Sequence, residues 1–431
     1  MLQISKNRFF FPLIIIGVAF FVIGFGVGIN GIMVPILEDV FDLSKGKSYM
    51  VLTATFSAFL IFGPPSGWVI KKIGYKKSLI LSLVIMSTGM FLFIPSARLG
   101  SSMSGFYMYL IAAFIGGMGN TLLQTTINPY VTICGPIEKA AQRLCTMGIM
   151  NQSAWYLGPV FLSLFINVKQ PDIANAAIPF GIAAGFIALF ALLMVFISLP
   201  EIAAEGEDET VGATNDEVVL FINRKKTVWH IPHLILGAIA LFIYVGVETL
   251  PMASVIDFAK TMGLNNPEQY SAFGPLGMIT GYIVSIFVLH WIPQNRAMIL
   301  FLLIALTSAL LLVTLPPAIA IYFLSGLGFA HSIMWGSIWA ITIDKLGRFT
   351  KSGSSMLVVA IVGGALLPLL FGLILDAVIP AGQAATAVDF QKAYWLFIPC
   401  YLFILYYAVF GQKAGLKYKN VNIQLNIFYK L

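Results

Sequence analysis

The sequence predicts an all-α membrane protein of twelve transmembrane helices in two six-helix bundles. Three observations carry that prediction. Of 431 residues, 59% are hydrophobic and only 10% are charged, against about 25% charged in an ordinary soluble domain. The 25 basic and 18 acidic side chains are too few to clothe a soluble globule of this length. Twelve apolar runs reach the roughly 20 residues that a ~30 Å hydrocarbon core demands. One long polar connection then divides the runs into six and six. Three cysteines, Cys134, Cys145 and Cys400, rule out a disulfide scaffold, and the abundance of Leu, Ile, Val and Phe rules out disorder.

The first six runs lie near 10–36, 48–70, 78–95, 105–132, 142–166 and 177–199. The first is too long for a signal-peptide core and lacks a small-residue cleavage site, so it is expected to be a retained helix. The polar stretch 200–231 follows, with seven acids from Glu201 to Glu217 and then Arg224, Lys225 and Lys226. The second six lie near 232–256, 268–291, 297–315, 317–341, 354–378 and 391–411. The expected domains are therefore bundle 1–199, linker 200–231, bundle 232–412 and a basic tail 413–431.

Orientation follows from the basic residues. With the N-terminus inside, nineteen of the 25 fall on the cytoplasmic side, as the positive-inside rule requires. Both termini are then cytoplasmic. The net charge of +7 is explained by topology and by a tail lying on the anionic inner leaflet, with no nucleic-acid partner.

Polar side chains in hydrocarbon are costly, so the few present there are the candidate functional residues. By these boundaries 17 of the 18 acids lie in loops or at helix ends. The exception is Glu248, about 16 residues into the seventh run, where an ionised carboxylate costs on the order of 3 kcal/mol. It is expected either to bind substrate or a coupling ion, or to join two helices. Asn120, Gln124 and Asn128 recur every four residues in the fourth run, which places three amides on one helix face. Amides donate and accept, which suits uncharged hydroxyl-rich ligands; their alternative use is as glue between helices.

Asn151 and Gln152 add amides in the fifth run, with Trp155 one turn on. The tenth run places His331, Trp335 and Trp339 on one face, an indole surface beside polar groups that suits the apolar face of a pyranose. His331 is open to a ligand hydroxyl, to Glu248, or to titration near neutral pH. In the first run Asn30 is set among Gly24, Gly26, Gly28 and Gly31, which permit close helix packing. The four histidines and three cysteines form no metal cluster or nucleophile motif, so neither an enzyme nor a metal site is expected.

Two six-helix halves on a long central loop resemble the layout of major facilitator transporters, whose halves rock around a midplane site. The run Gly67-Trp-Val-Ile-Lys71-Lys72-Ile-Gly74 resembles their loop signature, with Lys71 where the signature has an acid. More specifically, Gly119-Asn-Thr-Leu-Leu-Gln124-Thr-Thr-Ile-Asn128-Pro129, continuing to Glu138, Arg143 and Asn151, resembles the fucose–galactose–glucose symporter family. Tyr244 to Glu248 and Ser332 to Trp335 resemble that family too.

The resemblance implies a monosaccharide transporter of a bacterial inner membrane, monomeric, without cofactor, working by alternating access. Asn30, Gln124, Asn128, Asn151 and Gln152 would bind sugar from the first half and Tyr244, Glu248, His331 and Trp335 from the second. Gly67, Lys71, Gly74, Glu138 and Arg143 would form the cytoplasmic gate. The acids that the family's proton-coupled fucose carriers use align with Gly31 and Gln124, which do not titrate. Coupling then falls to Glu248 or His331, to sodium, or is absent. The rival readings are an exporter of drugs or lipophilic cations, and a sensor that binds sugar without moving it.

Overall fold

The structure, a computed structural model, describes residues 10–41, 50–166, 173–207, 214–380 and 383–416. Ten helical segments among them are long and apolar enough to cross a bilayer. One of these, Thr53–Arg98, has 46 residues, about 69 Å at 1.5 Å per residue and twice the thickness to be crossed. Gly74 divides it: at φ 79° and ψ 175° its backbone takes a conformation open to glycine, and the chain reverses into α2 (50–73) and α3 (75–98). Ala140–Ser163 has the length of a span, 24 residues, but Arg143, Asn151 and Gln152 make it less apolar. With that division and this helix the spans among the described residues number twelve.

The first bundle comprises α1 (Phe10–Val40), α2, α3, α4 (Met103–Ile133), α5 (Ala140–Ser163) and α6 (Ala177–Phe196). A short linker helix, α7 (Glu217–Asn223), is capped by Asp216, whose side chain accepts from Val218 N and Val219 N. The second bundle comprises α8 (Pro232–Thr261), α9 (Phe273–Trp291), α10 (Gln294–Thr314), α11 (Pro317–Ile343), α12 (Gly347–Val378) and α13 (Ala387–Lys413). Thr386 and Asp389 close a reciprocal capping box at the start of α13.

The spans stand where the apolar runs place them, with ends that differ by up to seven residues, the largest shift being at the start of α12, at Gly347 against an expected 354. Each of the last three tightens mid-span into a turn of i to i−3 bonding: Ser332 N to Phe329 O, Ile361 N to Val358 O, and Trp395 N to Lys392 O. Such 3₁₀ turns re-aim the helix without leaving backbone groups unpaired in hydrocarbon.

The core follows from small residues where helices meet and large ones facing lipid. In α6, Ala183, Ile187 and Ala191 are buried while Phe186, Leu189, Leu193 and Phe196 face outward. Helices α1 and α5 touch backbone to backbone: a Cβ on Gly24 or Gly28 would lie 1.9 or 2.3 Å from the carbonyl oxygens of Asn151 and Trp155. No other residue fits there, the small-residue logic of membrane helix pairs.

The two bundles meet along α2 against α12 and along α5 against α9 and α11. The seam is tight toward the face that carries the linker. Gly67 lies against Ser355 and the Lys351 carbonyl, Lys71 Nζ donates to Ser352 Oγ at 2.7 Å, and Gln142 Nε2 donates to Ile286 O at 2.9 Å. Higher up, Gly148 packs on the Tyr282 ring, and the Cys145 thiol sits 3.8 Å from Ser332 O.

Candidate functional site

Polar side chains from both bundles converge above this closed seam. In α4 the three amides form a ladder: Gln124 Nε2 donates to Asn120 Oδ1 at 3.2 Å, and Asn128 Nδ2 donates to the Gln124 carbonyl at 3.0 Å. Asn128 is fully buried and Gln124 half-buried. The ladder leaves Asn128 Oδ1 to accept from the other bundle, and Trp335 Nε1 donates to it at 3.3 Å.

Trp335 is held by its neighbours. It stacks on Trp339 at 5.6 Å and lies 6.4 Å from the Tyr244 ring. Trp339 is wholly buried, so the indole stripe is divided: Trp339 is packing, and Trp335 remains partly open to the site. Tyr244 lies edge-on to His331 at 5.9 Å and donates from its hydroxyl to the His331 carbonyl at 3.2 Å. His331 in turn pairs through Nε2 with the Tyr401 hydroxyl at 2.8 Å.

Glu248 lies one turn beyond Tyr244 on the same face of α8, close enough to the Tyr244 and Tyr282 hydroxyls to interact with them electrostatically. Trp335, Tyr244, His331 and Glu248 therefore form one cluster, with Asn128 across from it.

Other expected residues take different places. Asn151 turns away from the seam and donates to the Phe20 carbonyl at 3.1 Å, tying α5 to α1. Gln152 is 3% exposed, and its Oε1 is unpartnered among the described residues; one turn after Gly148, it lies on the helix face that meets α9. The side chain of Asn30 lies outside the described residues, as does that of Gly31's neighbour Ile32.

At the linker face, Arg143 serves the end of α4: its guanidinium donates to Val131 O at 2.8 Å, Thr132 O at 2.7 Å and Pro136 O at 3.0 Å. The first two are carbonyls of the last turn of α4, which lack helical partners, and the third belongs to the turn that follows it. Glu138 is exposed near Arg143. Gly67 and Lys71 stand in the α2–α12 seam and Gly74 at the α2–α3 reversal. Two members of the cluster escaped the sequence reading, Tyr282 and Tyr401. An isolated tyrosine in an apolar run looks like packing, and only tertiary contact distinguishes it.

Chemically the cluster offers amide donors and acceptors, phenol hydroxyls, one indole face and one carboxyl. That suits a small neutral molecule bearing many hydroxyls. Among the described residues no group of three metal-ligating side chains occurs.

Comparison with known proteins gives the same direction. The model of the Major Facilitator Superfamily matches residues 16–370. A putative glucose/galactose transporter of Helicobacter pylori is 31% identical over 409 residues, covering 91% of this chain and 95% of that protein. A glucose/galactose transporter of Brucella abortus is 28% identical over 421 residues, covering 95% and 96%. Among solved structures, the superfamily transporter FucP in the outward conformation superposes with a TM-score of 0.78 at 22% identity, over 94% of this chain and 99% of that one.

Proposed function

The chain belongs to the major facilitator superfamily, and from that premise we propose that it carries a neutral monosaccharide, a hexose such as glucose or galactose, across a bacterial inner membrane by alternating access. The observation that carries this reading is the Trp335–Asn128 bond with the tyrosine, histidine and carboxylate cluster above it. An indole beside an amide presents a flat apolar surface and a fork of hydrogen bonds together, the two features of a pyranose. The names of the relatives, glucose/galactose transporters, support the same substrate class.

The moving units in this reading are residues 1–199 and 232–412, joined by 200–231. Nineteen of 25 basic residues support a cytoplasmic linker face and cytoplasmic termini. With that face closed, the site opens outward. Sugar entering from outside meets Gln124, Asn128 and Trp335 on its floor and Tyr244, Glu248 and His331 on one wall. His331 is already engaged by Tyr401, so ion coupling rests on Glu248, through protonation or sodium. A greasy-cation exporter would not need an amide ladder in register.

The test is uptake of a radiolabelled aldohexose panel into proteoliposomes, repeated without sodium and then with a proton ionophore. Flux of at least one hexose above empty liposomes is expected, with accumulation abolished in one of the two arms. Background flux for every sugar, from protein that is folded and inserted, overturns the reading.

A further inference from the structure

Three cations meet at the α2–α12 seam on the linker face. Lys71 lies near the end of α2 in one bundle, Arg348 and Lys351 lie at the start of α12 in the other, and the Lys71 ammonium is within electrostatic reach of both. Like charges on opposite walls of a seam push it open. Lys71 also sits on Ser352, in the first α-helical turn of α12 after its 3₁₀ start at Gly347–Phe349, a helix end that favours anions over cations.

The acid that answers these charges comes from the linker. Glu207 holds a carboxylate oxygen 2.8 Å from Lys351 Nζ, with only 6% of its side chain exposed, and accepts from Ala204 N at 2.8 Å on the other oxygen. It also lies within reach of Lys71.

The same short segment grips the first bundle. Glu201 accepts from Tyr75 N at 2.9 Å and Lys76 N at 3.1 Å, at the Gly74 reversal. Tyr130 donates to the Pro200 carbonyl at 2.9 Å. Lys351 closes the circuit by lying over the Tyr75 ring at 5.4 Å. Segment 200–207 thus bridges the two bundles, and parting them on this face breaks either Glu207 from Lys351 or Glu201 from the α2–α3 turn.

We propose that Glu207 is the counter-charge that holds the linker face closed, which makes segment 200–207 a working part of the gate and not only a tether. Glu207 is a positioning residue: it touches no substrate and acts through Lys351 and Lys71. Its purpose rests on the transport reading above, but its effect on the seam does not.

The native Cys145 supplies a reporter. It is buried, with its thiol facing Ser332 O of the other bundle, so a maleimide reaches it when the bundles part. In the purified full chain carrying Cys134→Ser and Cys400→Ser, Glu207→Gln is expected to speed Cys145 labelling about fivefold, the low end of ordinary coupling between sites. Adding Lys71→Asp removes one cation and sets a carboxylate at the α12 N-terminus, and is expected to return the rate to that of the parent. An unchanged rate in Glu207→Gln overturns the proposal. So does a raised rate that Lys71→Asp leaves raised, because Glu207 would then act by packing or folding and not by charge. No sugar flux is read, so failure here and failure of the transport reading are separate results.

Discussion

Trp335 Nε1 donates to Asn128 Oδ1 at 3.3 Å, one hydrogen bond that links a helix of the second bundle to the amide ladder of the first. Asn128 lies five residues from the linker-face end of α4, about 8 Å along the axis, so in the proposed transport cycle the pair forms the floor of the site. Trp335→Phe keeps the aromatic surface and removes the donor. If bound sugar takes over this indole donor, the lost bond of about 1 kcal/mol predicts a KM for sugar raised roughly fivefold. Trp335→Ala also removes the stacking face and is expected to cost more. Uptake kinetics on the two variants check the order.

Glu248 stands beside Tyr244 with no basic partner among the side chains described around it. Glu248→Gln keeps shape and hydrogen bonding but removes titration. It is expected to abolish concentrative uptake and to leave equilibrium exchange within about twofold of the parent. Undiminished accumulation in that variant removes Glu248 from the coupling mechanism.

A Cβ on Gly148 would lie 2.4 Å from the Tyr282 ring, so the α5–α9 seam closes only around glycine. Gly148→Val inserts methyl groups into that contact, and overpacking costs about 1–3 kcal/mol. The cost falls on the state with the linker face closed. The variant is expected to express and fold while losing most uptake, with its Cys145 labelled faster than in the parent.

Asp344, in the loop between α11 and α12, has its carboxyl pushed up to about 6 by burial, with Lys345 opposing the shift. In the unfolded chain an aspartate titrates near 4. The folded state therefore binds more protons between about pH 4 and 6, and the group's contribution to stability falls as pH rises through that window. Above it the carboxylate is charged at a desolvation cost. Asp344→Asn is expected to raise the apparent melting temperature at pH 7.5, by about 1 °C for each kcal/mol relieved in a chain of this length. Little change is expected at pH 5. Melting curves at the two pH values test the difference.

The twelve spans were legible because crossing hydrocarbon imposes one length and an apolar composition, and even α5, the least apolar of them, kept the length. The Gly74 reversal was legible as a basic loop with glycine. What helical spacing cannot say is which neighbour a polar face meets. Asn151 carries the same amide as Asn128, yet it bonds the Phe20 carbonyl inside its own bundle. His331 takes Tyr401, 70 residues away in sequence. The linker read as a solvated polar stretch, because nothing in its sequence separates Glu201 and Glu207, which bind the seam, from the acids around them. These contacts depend on how two bundles meet, which no local pattern encodes.

The most direct test of the central claim is entrance counterflow. Proteoliposomes loaded with unlabelled glucose are diluted into labelled glucose, and internal label is followed with time. This needs no coupling ion, so it isolates alternating access to a sugar site. A transient overshoot of label above the outside concentration is expected, abolished in Asn128→Ala. A folded, inserted protein that gives no overshoot with glucose, galactose or any other hexose would contradict it.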